Sequence, residues 1–277
     1  MWTVGATSAA DAPRGASRPQ QRYGRIVVVG GGCYGGYYVR QLLRAERAGA
    51  ITWDELVVVD RDPSCAVSAL AVDDRPPRLR LAVSDWHEFF GQYLREAADD
   101  TARLADAIVP SPLMPHLMAD WLLARARARW TERVVRITPI ETLPSIPWQR
   151  SGDDGTRYVS FAEWICPINC IEPARCPETR GPRSWSLPVA LASTSDHGAG
   201  APAGTPLLFH CTHRAYGVGM IDVRDVVAAD ATIAARGSAG EAAFLVGTVS
   251  HCHGALRCIT IGAPSRERPG SIADFSR

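Results

Sequence analysis

Along the first half of the chain the apolar positions switch repeatedly between continuous runs and a helical period. Residues 25–29, Arg-Ile-Val-Val-Val, form a β-branched run with no polar alternation, which predicts a strand buried on both faces. A glycine cluster follows at once. Residues 37–48 then carry the helical period, with Tyr38, Leu42 and Ala45 on one face and Arg40, Arg44 and Arg47 mostly on another; Gly49 is the expected stop. Residues 56–59 read as a second buried strand, ending at Asp60. Strand, glycine loop, helix and strand together make a βαβ unit. The alternation continues, with strands expected at 79–83, 107–109 and 133–137 and helices at 86–98 and 113–130. On the second of these helices Leu117, Trp121 and Ala124 share a face, and Arg125, Arg127 and Arg129 read as a solvated one. Repeated β and α elements over about 115 residues predict a parallel sheet covered on both faces.

After Pro139 the texture changes. Prolines recur at 144, 147, 167, 173, 177, 182 and 188, and Gly-Asp-Asp-Gly at 152–155 marks a turn. Strands are expected at 157–162, 207–210, 244–250 and 255–261, and a helix at 223–235. Residues 193–204, rich in Ser, Gly and Ala, read as an exposed loop.

Composition narrows the function. The 277 residues are 46% hydrophobic with a net charge of +1, and no basic stripe is present, so nucleic acid is a poor default partner. All 30 basic side chains are arginine. With no lysine, a Schiff-base lysine, a P-loop lysine and a Tyr-x-x-x-Lys pair are excluded. Residues 1–22 lack the apolar run of a secretory signal and read as a disordered extension or an early-called start; residues 266–277 read as a flexible tail. No segment has the length of apolar residues that a membrane span needs. A cytoplasmic protein is therefore expected, in which eight cysteines point to metal or thiol chemistry more than to disulfides.

Gly30, Gly32 and Gly35 give G-x-G-x-x-G directly between a predicted strand and a predicted helix. The first glycine permits a tight turn, the second lets backbone approach a pyrophosphate, and the third lets helix and strand pack closely. The helix N-terminus then offers free N–H groups to the phosphates. Asp60, 25 residues after Gly35, is placed to accept ribose hydroxyls. Residues 25–140 thus resemble the NAD(P)/FAD-binding Rossmann superfamily. The resemblance implies an α/β fold, a Rossmann-like doubly wound parallel sheet, here with a Pro/Cys-rich irregular insertion and a C-terminal α/β extension. It implies a nucleotide domain over 23–140, followed by a Cys/His-rich metal-binding and substrate region over 141–265. Gly30, Gly31, Gly32, Cys33, Tyr34, Gly35, Asp60 and Arg61 are the implied cofactor contacts. Asp60 disfavours a 2′-phosphate and points to NAD; Arg61 keeps NADP open, and FAD enzymes share the fingerprint. S-adenosylmethionine ranks below these. Cys33, at the helix mouth, reads as a small space-filler. The Val-Val-Gly-Gly-Gly opening and Ala-Asp-Ala-Ile-Val at 105–109 are also similar to the dehydrogenase domain of sirohaem synthesis. That family continues with a Val-Ala pair and a lysine, so the likeness implies shared fold and not shared function.

Three cysteines, Cys166, Cys170 and Cys176, fall within 11 residues among prolines that prevent regular structure. A rigid irregular loop can aim several thiolates at one point, and Cys-Pro pairs recur around iron–sulfur ligands. The spacing C-x3-C-x5-C indicates a metal without fixing which, and both an iron–sulfur cluster and zinc are expected cofactors. Cys211 is the first choice of fourth ligand and Cys252 the second; His213, His251 and His253 stand beside them. A reactive thiol or disulfide switch is the alternative use of the triplet, and Cys65 and Cys258 read as core. His87 and His116 fall on predicted helices as ordinary surface or end residues, and Asp85 reads as a helix cap. The leading expectation is an NAD-dependent oxidoreductase with His213 or His251 as proton donor. Its partner would be a small-molecule substrate or a redox partner protein, with a homodimer open. A non-enzymatic redox or metal sensor and a nucleotide-dependent transferase with structural zinc are the competing classes.

Overall fold

The computed structural model describes residues 21–70, 76–164, 166, 170–193 and 205–263. The expected extension up to residue 20, nearly all of the 193–204 loop, and the 266–277 tail lie outside the described residues. Gln21 and Arg22, expected in the extension, instead open the first strand and pair with Ile51 and Thr52.

The first sheet collects β1 (Gln21–Val29), β2 (Ile51–Asp60), β3 (Leu79–Val83), β4 (Ala107–Val109), β9 (Thr212–Ala215) and β10 (Val218–Asp222). Its order is β3-β2-β1-β4-β10-β9, parallel through the first four strands and antiparallel beyond. The second sheet runs β6 (Trp148–Ser151), β7 (Arg157–Ser160), β12 (His253–Ile261), β11 (Ala242–Val249) and β8 (Leu207–His210), and β5 (Val135–Thr138) shares the β7 edge of β12. Helices α1 (Cys33–Arg47), α2 (Trp86–Asp99), α3 (Leu117–Arg129), α4 (Leu187–Ala192) and α5 (Val223–Ala239) cover them. Among the described residues the protein is therefore mixed α/β, with two mixed sheets and five α-helices.

Three apolar cores define the layers. α1 packs on one face of the first sheet through Val39, Leu42 and Leu43 against Ile26, Val28 and Val58. α2, α3 and α5 fill the space between the sheets, where Val27 and Val57 of the first share a core with Phe244 and Ile259 of the second. α4 covers the far face of the second sheet through Leu187 and Leu191.

The alternating pattern predicted one parallel sheet that included residues 133–137. The parallel run instead stops at β4, and β5 joins the second sheet antiparallel to β12. The cause lies in α3. Leu117, Met118, Ala119, Trp121, Leu122 and Leu123 are all buried, which takes in most of its circumference. A helix apolar nearly all round has to be covered on several sides, so α3 sits between the sheets and the chain leaves it on the second. The expected solvated arginine face holds for Arg127, which is exposed, and is corrected for the other two. Arg125 and Arg129 both reach Asp230 of α5, at 2.9 and 3.0 Å, and Asp230 is 5% exposed. We expect Asp230→Asn to cost about 1–3 kcal/mol, less than a fully buried pair because both guanidiniums keep some solvent. Urea unfolding reads this; a loss below about 0.5 kcal/mol shows the arginines to be hydrated independently of Asp230.

Two local features bring the site residues together. Tyr216 and Gly217, with φ of 49° and 81°, form the two-residue loop of the β9–β10 hairpin, where positive φ at both central positions matches strand twist. Between β8 and β9 a single residue, Cys211, carries the chain from the second sheet to the first, its N–H donating to the Val249 carbonyl at 2.8 Å.

Candidate functional site

At the carboxyl ends of β1 and β4 the two sheets open onto a cavity of about 700 Å³. Tyr34 and Tyr38 of α1 and the Pro110–Ser111–Pro112 segment after β4 form one wall. Cys166, Cys170 and Glu172 from the irregular loop, Ser160 of β7, His213 of β9 and His253 of β12 form the other. A pocket of this size holds a small molecule or the reactive end of a larger one.

The glycine loop lies beside this cavity. Gly30 has φ of 86°, and its N–H donates to the Val59 carbonyl at 2.8 Å. A Cβ on Gly35 would lie 1.8 Å from the Gly30 carbonyl oxygen, so α1 and the loop touch backbone to backbone. A Cβ on Gly32 would meet nothing within 4 Å. Gly31 is covered by Cys65 of the 62–70 segment and donates its N–H to Asp60 Oδ2 at 2.6 Å. The other Asp60 oxygen accepts from the Asp62 N–H at 2.9 Å. Both carboxylate oxygens of Asp60 thus hold the loop, leaving only their remaining lone pairs for a ligand. Arg61 is exposed and lies 3.8 Å from Asp85; Cys33 and Tyr34 are exposed at the start of α1.

Glu172 organises the opposite wall. Its side chain is 6% exposed and accepts from the Ser250 hydroxyl at 2.6 Å, the His251 N–H at 2.9 Å and the Cys252 N–H at 3.1 Å. Burial alone pushes its pKa up. The Ser250 hydroxyl, the two N–H groups and the nearby His213 hold it below the ordinary carboxylate value. His213 Nδ1 lies 3.9 Å from Glu172, and burial lowers the His213 pKa against that attraction. His251, the other expected proton donor, is not part of the cavity wall. Its Nδ1 meets Ser186 Oγ at 3.1 Å and its ring stands edge-on to His210.

His253 takes the position facing the thiols. Its Nε2 is 3.4 Å from Cys166 Sγ and its Nδ1 is 2.9 Å from Ser160 Oγ, its cross-strand partner. Burial lowers its pKa against the opposing charge of Glu172. The strand register carried a signal for this: His253 opens β12 two residues before the cavity-lining Ala255, on the same face. Nothing in the sequence marked Glu172 or Ser160.

The five expected metal-binding cysteines separate into groups. Burial, and then the like charge of Cys170, push the Cys166 thiol up to about 11, with Cys176 adding to this. Cys176 has its thiol lowered, chiefly by the backbone N–H of Thr179 and then by that of Glu178. Burial pushes Cys252 up to about 11; its sulfur accepts from the Trp185 indole at 3.3 Å and feels Cys166. Cys211 lines the cavity together with Cys166 and Cys170, and burial pushes its thiol up to about 12, with Glu172 adding to this and Arg214 opposing it. Among the described residues, no group of three or more His, Cys, Asp and Glu side chains converges on a metal position as the side chains stand. Cys65 and Cys258 are buried in the cores, and Asp85 caps α2 by accepting from the N–H groups of His87 and Glu88.

Fold and site together define a mixed α/β protein with a thiol- and imidazole-lined cavity where its two sheets meet. Residues 118–262 match the family model AF_1314_C, described as "Uncharacterized protein, C-terminal domain". That is more than half of the 277-residue chain, and the chain belongs to this family. The matched segment contains the cysteine loop, His213 and His253; the glycine loop precedes it. No curated protein and no solved structure matches the chain. Among the described residues no helix is long and apolar enough to cross a membrane.

Proposed function

We propose that this chain is a nucleotide-dependent oxidoreductase. It binds NAD on the glycine loop, carries out chemistry in the cavity, and holds a metal on the cysteine loop of the opposite wall. The carrying observation is the cavity itself, which places Tyr34, in the first turn after the glycine loop, across from Cys166, Cys170 and His253. The parallel order β3-β2-β1-β4, with α1 and α2 in the crossovers, supports a Rossmann-like nucleotide half. The glycines support it too: Gly30 turns, Gly32 is open, and Gly35 packs. In this reading His213 supplies the proton, because it is the expected donor that lines the cavity.

Gly32→Asp tests the nucleotide part. Gly32 is the N-cap of α1, has φ of −72°, and makes no side-chain cap. Aspartate is among the best N-cap residues and complements the helix dipole, so stability should stay level or rise by up to about 1 kcal/mol. The same carboxylate would stand where a pyrophosphate approaches. Calorimetric titration should show saturable NAD binding to the wild type, and at least a tenfold loss in the variant. Equal affinities, or no saturable binding of NAD, NADP or FAD by the wild type, would refute the reading.

A further inference from the structure

We infer that the cavity takes an aromatic substrate that carries no negative charge, held between two aromatic walls. The inference rests on the proposed function, whose substrate it names by chemical class. Two features carry it: rings on both sides of the cavity and, among the described residues, carboxylates but no guanidinium in its lining.

The rings come from separate elements. Tyr34 and Tyr38 are one helical turn apart on α1, so they share a face, and both line the cavity. From the other side come Trp148 of β6 and Tyr158 of β7. The sheet register brings these two together. Trp148 pairs with Ser160 and Tyr158 pairs with Ala255, and all of these positions line the cavity. Trp148 and Tyr158 are therefore diagonal neighbours on one face, a spacing that aromatic side chains span. Tyr34 and Trp148 are each 42% exposed, which leaves a large apolar surface uncovered at the mouth. A flat ring entering between α1 and the sheet covers both. Aromatic rings stack or meet edge to face with a gain beyond the area buried, a gain that a saturated ligand of the same size does not receive.

Charge sets the second half of the class. The chain has 30 basic residues, all arginine, yet among the described residues none lines the cavity, while Glu163 and Glu172 both do. Guanidiniums in the neighbourhood do not fill the gap. Arg257 follows Ala255 by two residues on the same face of β12, but its guanidinium is bound to Asp120, Asp154 and Thr156. Arg183 stands 4.0 Å from Glu172 and outside the lining, so it offsets part of that charge without meeting a ligand. Arg150, paired across the strands with Tyr158, is exposed and does not line the cavity either. His213 and His253 do line it, and burial works against the charged form of both. The positive end of α1 at the glycine loop belongs, in the proposed function, to the pyrophosphate. A carboxylate or phosphate on the substrate would thus lose its water and meet two like charges. A neutral ring escapes both penalties, and a cationic one gains attraction from the carboxylates and from the ring faces.

The test uses three naphthyl probes of nearly one shape: the alcohol naphthylmethanol, the anion naphthoate and the cation naphthylmethyl-trimethylammonium. Each is titrated calorimetrically into the full chain, and NAD binding is measured on the same preparation. The alcohol and the cation should bind saturably, and naphthoate about tenfold more weakly than the alcohol, or worse. Trp148→Ala should weaken the alcohol by about tenfold and Trp148→Phe should restore most of the loss. Trp148 lies on an exposed edge strand, so both variants should keep the wild-type circular dichroism. Glu163→Arg, at an exposed position, should bring naphthoate to within about threefold of the alcohol, a gain that unfolding cannot produce. Naphthoate binding as tightly as the alcohol overturns the inference. So does a wild type that binds none of the three, a Trp148→Ala variant with unchanged affinity for the alcohol, or a Glu163→Arg variant that keeps the wild-type gap. A chain that binds the probes in the expected order but not NAD refutes the nucleotide reading and leaves the ligand class standing.

Discussion

Glu172→Ala is expected to destabilise the protein by about 3 kcal/mol or more and to loosen the turn that carries His253. The carboxylate accepts from the Ser250 hydroxyl and from the His251 and Cys252 N–H groups, all on one turn, from a side chain 6% exposed. Hydrogen bonds to a charged group contribute roughly 1.5–3 kcal/mol each, and stranding buried donors costs more than never having paired them. Alanine strands the His251 N–H outright and leaves the Ser250 hydroxyl and the Cys252 N–H only longer contacts, to the His253 carbonyl at 3.4 Å and to Ser250 Oγ at 3.3 Å. Glutamine should rescue only part of the loss, because its NH₂ would face N–H donors. The effect should reach the cavity wall as well as the fold, because His213 Nδ1 lies 3.9 Å from the same carboxylate. Chemical unfolding of the wild type and the variant checks this. A loss under about 1 kcal/mol shows that the turn holds without its carboxylate.

The same residue sets an acid limit. Burial pushes the Glu172 carboxyl up, but its hydrogen bonds and His213 outweigh this and hold it below the usual value. A carboxyl depressed in the folded state contributes stability that is fully present above its unfolded pKa, near 4.5, and is lost as pH falls through the folded value. His213 and His253 act earlier in the same direction. Burial lowers both below 6.5, so the unfolded chain takes up protons first and stability declines as pH drops from about 6.5. Stability should therefore fall in two stages on acidification, and Glu172→Ala should shrink the lower one, which Glu55, Asp85 and Asp154 share because hydrogen bonds and nearby cationic side chains hold their carboxyls down as well.

Local structure was largely legible from the sequence, and partners were not. The runs at 79–83, 107–109 and 207–210 form strands with those boundaries, and Asp85 caps its helix. Burial periodicity says that a segment is a strand but not which sheet receives it. Residues 133–137 were read as a strand of the parallel sheet; the strand spans Val135–Thr138 and pairs with β12 instead, because α3 is apolar on too many sides to lie on one sheet. β9, Thr-His-Arg-Ala, has a single buried residue and no apolar pattern, so it was missed. The arginines of α3 looked solvated because their partner Asp230 is 101 residues from Arg129 in sequence.

At the site, types were visible and roles were not. Cysteine spacing pointed to Cys166, Cys170 and Cys176, and Cys166 and Cys170 do line the cavity. His213 and His253 line it and His251 does not, a choice made by the turn at 250–253 rather than by residue type. Glu172 looked like one acid among prolines, since its value comes from donors about 80 residues away.

Gly35→Ala should be the most damaging single methyl in the nucleotide half. The added Cβ would lie 1.8 Å from the Gly30 carbonyl oxygen and 2.8 Å from its carbon, so no side-chain rotation relieves the clash. The loop cannot easily yield. Gly30 is tied to β2 through its N–H to Val59, and the Trp86 indole donates to the same carbonyl at 3.0 Å while its ring packs against Gly30. Overpacking usually costs about 1–3 kcal/mol, and a backbone-to-backbone clash belongs at or beyond the upper end. Gly36, one residue on, is the control. Its Cβ would have nothing nearer than Ala66 at 3.7 Å, so Gly36→Ala should be neutral or stabilise α1 by up to about 1 kcal/mol. The two variants differ by one position along the same buried turn, so composition and helix propensity cancel between them. Opposite signs in thermal unfolding mean that α1 is held against the loop as a nucleotide site requires. Equal, mild effects mean that the helix can ride away from the loop, and the phosphate-binding geometry built on Gly30, Gly32 and Gly35 goes with it.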